Sequence, residues 1–114
     1  MNAATGLDLS PRWRDEVQAI LVRYVPMREV WAFGSRVKGT ASEASDLDLV
    51  VRNPTALEQV CPGLGRLRAD KAASALPIRV DVVDWARLSE TFRREILEAY
   101  LVVRESSEPT LVAT

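Results

Sequence analysis

Three aspartates carry the strongest chemical signal in this chain. Asp46 and Asp48 lie two residues apart in Asp46-Leu47-Asp48-Leu49-Val50-Val51, where leucines alternate with carboxylates at the period of a β-strand. Both acids therefore leave the same face, roughly 6.6 Å apart along the backbone. Asp81 occupies the non-core face of a later alternating stretch and is a candidate third carboxylate. Like charges on one sheet face repel, so three converging aspartates are easiest to account for if a cation neutralises them. Paired cations roughly 3.5–4 Å apart stabilise the attacking and leaving oxygens of an in-line phosphoryl displacement.

Upstream, Gly34-Ser35 follows a short apolar run and offers backbone amides and a hydroxyl to a phosphate, with the start of a helix there adding positive character. Arg36 and Lys38 stand beside it as candidate partners of triphosphate charge, and each reads equally well as a solvated surface cation. Taken singly, a Gly-Ser pair is more often a plain turn, and paired acids are often only the solvated side of a half-exposed strand. The order of the turn, the acid pair and then Asp81 favours the chemical reading. Asp84 competes with Asp81, but alternation puts Asp84 toward the core, where it better ends the strand and caps the next segment.

Composition narrows the chemistry further. The chain has no histidine and one cysteine, Cys61, so zinc sites, histidine triads and an intrachain disulfide are excluded and any metal must be held by oxygen. Hard cations such as Mg²⁺ or Mn²⁺ fit that donor set. Fifteen basic and sixteen acidic residues nearly cancel, which leaves no global footprint for duplex nucleic acid. Trp13, Trp31 and Trp85 read as packing residues and Cys61 as a packed thiol. With 114 residues there is material for one α/β core, and neither a signal-like apolar run at Met1–Ser10 nor a membrane-length segment is seen. The chain reads as soluble and cytoplasmic.

The elements that must position these residues follow from local signals. Ser10-Pro11 marks a helix start, and Trp13, Val17, Ile20, Leu21 and Tyr24 share a face, which predicts a helix over Pro11–Tyr24. Glu29–Phe33 reads as a strand ending at Gly34, and Asp46–Val51 as the acid-bearing strand. Thr55–Ser74 reads as helical turns interrupted by Pro62, Gly63 and Gly65. Leu76–Val83 reads as a strand with Ile78, Val80 and Val82 inward. A last helix is predicted over Ala86–Val103, with Leu88, Phe92, Ile96, Leu97, Tyr100 and Leu101 as its apolar stripe. Residues 1–104 then form one domain, and 105–114 a frayed tail.

The arrangement Phe33-Gly34-Ser35, ten residues, then Asp46-Leu47-Asp48-Leu49 resembles the signature of the DNA polymerase β nucleotidyltransferase superfamily. Gly34-Ser35-Arg36-Val37-Lys38-Gly39 and Ser45-Asp46-Leu47-Asp48-Leu49-Val50 are especially similar to its minimal nucleotidyltransferase, or MntA-like antitoxin, branch. The resemblance implies an α/β (α+β) nucleotidyltransferase fold, a small mixed sheet with helices packed on one face and the other face free for the site. It implies that Gly34 and Ser35 grip the triphosphate of ATP, that Asp46 and Asp48 bind two Mg²⁺ ions, and that Asp81 is the third carboxylate, aiding deprotonation of the acceptor hydroxyl.

In that branch the acceptor is a tyrosine of a partner HEPN-domain toxin, so the implied activity is transfer of AMP from ATP to a protein hydroxyl. The chain's shortness suits this, since little remains to bind an elaborate acceptor. Two other readings compete with it. One is a non-catalytic antitoxin that acts by occlusion. The other is a small-molecule nucleotidyltransferase of the aminoglycoside-modifying kind, whose acceptor pocket a homodimer would complete. No membrane association and no templated polymerisation are expected.

Overall fold

Ser10 and Pro11 begin the first helix where the sequence predicts. In the computed structural model, which describes residues 2–72 and 76–105, the Ser10 hydroxyl accepts from the Trp13 amide at 3.3 Å and α1 runs Pro11–Tyr24. Val17 and Leu21 are its buried residues, and Val25 closes it by donating to the Leu21 carbonyl. No helix among the described residues is long and apolar enough to cross a membrane.

Strand β1, Glu29–Phe33, leads through Gly34 into α2, the single turn Ser35–Lys38, and then into β2, Leu47–Arg52. The interrupted middle stretch yields turns and one helix, α3, Leu64–Ala72; Gly63 precedes it at φ +91, and the last residues read there, 73 and 74, lie outside the described residues. Strand β3 is shorter than predicted, Val80–Asp84, and Ile78 is buried just ahead of it. The sheet order is β3-β2-β1, with β2 and β3 parallel and β1 and β2 antiparallel.

The predicted final helix is corrected. Trp85–Arg87 form a 3₁₀ turn, α4 spans only Glu90–Glu98, and Tyr100–Arg104 form a fourth strand, β4, antiparallel to β1 at the sheet edge. Leu88 is extended and Ser89 caps α4 by accepting from the Phe92 amide at 3.1 Å, which resets the helix start. At the other end Tyr100-Leu101-Val102-Val103 is rich in strand formers, and pairing with the open edge of β1 outweighs their fit to a helical stripe. Of the predicted tail, residues 106–114 lie outside the described residues.

The principal core lies on one face, where α1 and α3 bring Val17, Leu21, Leu64 and Leu67 against Val30, Ala32, Leu47, Leu49, Val51 and Val82. The opposite face is not wholly free, contrary to the expectation from sequence. There Trp31 and Val50 pack with Trp85 and Ile96 from the 3₁₀ turn and α4. Trp31 stacks on Tyr100 at 4.1 Å, and the Arg52 guanidinium lies 3.9 Å from the Trp31 ring centre and 4.6 Å from that of Trp85. This second cluster covers the Trp31–Val50 part of the face and leaves the acidic end open.

Candidate active site

Strand alternation and pairing bring two of the predicted acids together. Asp48 on β2 and Asp81 on β3 are direct register partners in the parallel pair, so their side chains leave one face at the spacing of neighbouring strands, roughly 4.8 Å. Asp46 immediately precedes β2 and is half-buried. Phe33, the last residue of β1, partners Asp48 from the other side. The chain therefore leaves β1 through Gly34 directly beside the Asp48 carboxylate.

Gly34 is required there on two counts. Its backbone is at φ +81, and a Cβ at this position would collide with Asp48 Oδ2 and lie 3.3 Å from Asp48 Cγ. Ser35 follows, half-buried, as the first residue of α2. Because α2 has only one turn, its dipole adds little, and any phosphate at Gly34-Ser35 would rely on individual backbone amides and the hydroxyl.

Burial pushes the Asp48 carboxyl above the usual carboxylate range, and the charges of Asp81 and Asp46 push it further the same way. All three acids thus act on one locus. Asp81 Oδ1 accepts from Arg79 Nε at 3.1 Å, an exposed pair that supplies one positive charge. As the side chains stand, no three His, Cys, Asp or Glu groups among the described residues gather tightly enough to hold an ion. The donor set nevertheless suits a hard cation: it is all carboxylate, its members repel one another, and Asp81 already holds a cationic group.

Phe33, Asp48, Asp81, Val83 and Phe92, with Arg68 and Arg79, line a cleft of about 550 Å³. Phe33 and Phe92 meet edge to face at 5.8 Å and wall it toward the aromatic cluster. Arg68 reaches from α3 to the Val82 carbonyl, with its two bonds at 3.2 and 2.6 Å, and so covers the outer edge of β3. Neither Arg68 nor Arg79 was singled out from sequence. Arg79 was within reach, since it lies two residues before Asp81 and so shares its face; Arg68 gave no local signal. A separate cavity of about 440 Å³ under α1 is lined mainly by leucine and valine and carries no acid.

The two predicted cations separate. Lys38 is exposed at the end of α2. Arg36 is 3% exposed, its guanidinium donating to main-chain carbonyls of Asp8, Glu43 and Ser45. Its N–H groups are thereby committed, so a triphosphate contact is not the role this geometry gives it.

Asp84 is the buried cap that alternation suggested. Its carboxylate accepts from the Cys61 amide at 2.9 Å and the Ala86 amide at 3.1 Å. Replacing it with alanine strands the Cys61 amide and uncaps the 3₁₀ turn. Asp84→Ala is expected to lower stability by about 2 kcal/mol in urea unfolding. Nucleotide binding should stay within a few-fold of the parent, and its loss in the folded variant would move Asp84 into the site.

Residues 15–108 match the family described as "Polymerase beta, Nucleotidyltransferase". The chain is 41% identical over 108 residues, 95% of its length and 93% of the relative's, to the probable protein adenylyltransferase MntA of Haemophilus influenzae. Among solved structures, a toxin-antitoxin crystal structure with AMP-PNP aligns at a TM-score of 0.64 with 23% identity, covering 82% of this chain and 74% of that one. A mutant toxin-antitoxin MntA-HpeT structure aligns at 0.63 with 21% identity and the same coverage. These two structures support the fold, while the sequence matches carry the kinship. The chain belongs to the polymerase beta nucleotidyltransferase family, in its MntA-like branch.

Proposed function

We propose that this nucleotidyltransferase moves AMP from ATP to a hydroxyl of a partner protein, a tyrosine of a HEPN-domain toxin, and thereby acts in the cytoplasm as the antitoxin of the pair. The observation that carries the proposal is the register of Asp48 with Asp81, just beyond Asp46 and Leu47 and against the bare Gly34 turn. The relative's name as a protein adenylyltransferase supports the protein acceptor.

In this reading Asp46, Asp48 and Asp81 hold two Mg²⁺ ions, with Mn²⁺ as a substitute, and Gly34 and Ser35 bind the triphosphate. The bound ions would supply neutralising charge to the phosphoryl oxygens. Asp81 stands one strand further from Gly34 than Asp48 does, and in this reading the acceptor hydroxyl approaches there, opposite the pyrophosphate. The acceptor oxygen forms its bond to the α-phosphorus as the bond to pyrophosphate breaks, and the hydroxyl proton passes to Asp81. For this Asp81 exchanges its contact with Arg79.

The test is incubation of the protein with a purified HEPN-domain partner, α-labelled ATP and Mg²⁺. Label is expected on the partner, abolished by chelator and by Tyr→Phe at the modified position. Label on an aminoglycoside and none on protein would replace this reading with the small-molecule one. Full neutralisation of the partner by Asp46→Ala/Asp48→Ala would replace it with an occluding module.

A further inference from the structure

We infer that Arg36 is a positioning residue that fixes Asp46 relative to the Gly34-Ser35 turn, an inference that rests on the metal-dependent reading above. Arg36 stands one residue after Ser35, in the turn that opens α2. Its side chain crosses to the loop that ends at Asp46. There Nε donates to the Ser45 carbonyl at 3.0 Å, and a terminal nitrogen donates to Ser45 at 2.9 Å and Glu43 at 3.1 Å, with Ser42 further off at 3.5 Å. The other terminal nitrogen donates to the Asp8 carbonyl at 2.7 Å, and the Asp8 amide returns a bond to the Arg36 carbonyl at 2.7 Å. One planar fork therefore ties three pieces of chain: the phosphate-side turn, the segment before α1, and the residue directly preceding Asp46.

Satisfying those carbonyls does not by itself call for a buried cation. Ser42 and Glu43 are exposed, so water is a ready partner for their main chain. Removing a guanidinium from solvent is costly. What the arrangement adds is a fixed loop. Asp46 lies outside β2, so unlike Asp48 it has no strand ladder to hold it, and its backbone takes its place from Ser45 on one side and Leu47 on the other. The fork geometry matters as much as the charge, because lysine presents all its donors from one nitrogen and cannot span Asp8 and Ser45 together.

The test compares the parent with Arg36→Lys by calorimetric binding of a nonhydrolysable ATP analogue across a Mg²⁺ titration, together with label transfer. The Mg²⁺ concentration for half-saturation is expected to rise roughly tenfold, as when a residue supporting a metal ligand is lost. Analogue affinity at saturating Mg²⁺ should stay within about threefold, because Gly34, Ser35 and Asp48 keep their places, while transfer falls on the order of a hundredfold from misplacement. Amide hydrogen exchange at residues 42–47 should quicken in the metal-free variant. In a cycle with Asp46→Asn the two effects on Mg²⁺ dependence should be strongly non-additive, since Arg36 acts through that carboxylate.

Unchanged Mg²⁺ half-saturation in a folded Arg36→Lys protein, or full additivity with Asp46→Asn, would overturn the inference. Should Arg36→Lys not fold, Ser45→Gly removes the bond that the Ser45 hydroxyl accepts from the Ser42 amide at 2.9 Å and leaves every guanidinium contact. It should raise the Mg²⁺ requirement in the same direction by a smaller factor, and no change there counts against the inference. A parent protein that binds no Mg²⁺-analogue complex, alone or with its partner, would instead remove the functional reading itself.

Discussion

Replacing Asp48 by asparagine is expected to lower nucleotidyl transfer on the order of a thousandfold and to remove Mg²⁺-dependent nucleotide binding, while the metal-free protein becomes more stable. The first effect stems from the position of Asp48, flanked by Phe33 on one strand and Asp81 on the other. The second stems from its electrostatics. Burial, then Asp81 and Asp46, raise the folded-state pKa above the ordinary 3.8, so the unfolded chain loses its proton first as pH rises. The metal-free fold therefore loses stability as pH rises from 3.8 through the raised folded value. Asparagine keeps the shape and removes the charge. Melting in chelator at pH 7 should rise by about a few degrees, and the gain should vanish as the pH falls below the window. A lower melting temperature at pH 7 would mean that the carboxylate is a structural asset and that the acids are not held in mutual repulsion.

That coupling of a stability cost to a function marks where the sequence was most readable. Helix α1 was legible from Ser10 to Tyr24 because cap, proline and apolar face are all local signals. The acidic faces of β2 and β3 were legible because a strand's period is two. Alternation names the face but not the neighbour, and the register of Asp48 with Asp81 depends on a parallel crossover through α3. Strand β4 was misread because Ile96, Tyr100 and Leu101 fit a helical stripe as well as they fit a cap, a turn and an edge strand; the free edge of β1 decides between them. Arg36 shows the same limit at one residue. Beside Gly34-Ser35 its charge suggests a phosphate, yet its direction is set by Asp8, Glu43 and Ser45, which local pattern does not locate.

Gly34→Ala should be severely damaging for a change of one methyl group. At φ +81 and ψ −160 an L-residue is strained by about 1–3 kcal/mol before any contact is considered. The added Cβ would also collide with Asp48 Oδ2 and press on Asp48 Cγ at 3.3 Å and Cβ at 3.5 Å. The Asp48 backbone is paired with β1 on one side and β3 on the other, so either its carboxylate is displaced from the site or the turn gives way, carrying Ser35 and the start of α2 with it. Loss of transfer on the order of a hundredfold or more is expected, with unfolding in urea shifted by at least about 2 kcal/mol. The two causes separate in an Asp48→Gly background, where the carboxylate is gone and only the backbone strain remains. There the stability cost of Gly34→Ala should shrink by the steric share. An equal cost in both backgrounds would show that glycine is kept for its backbone angles alone, and that the closeness of turn and carboxylate is incidental to the fold.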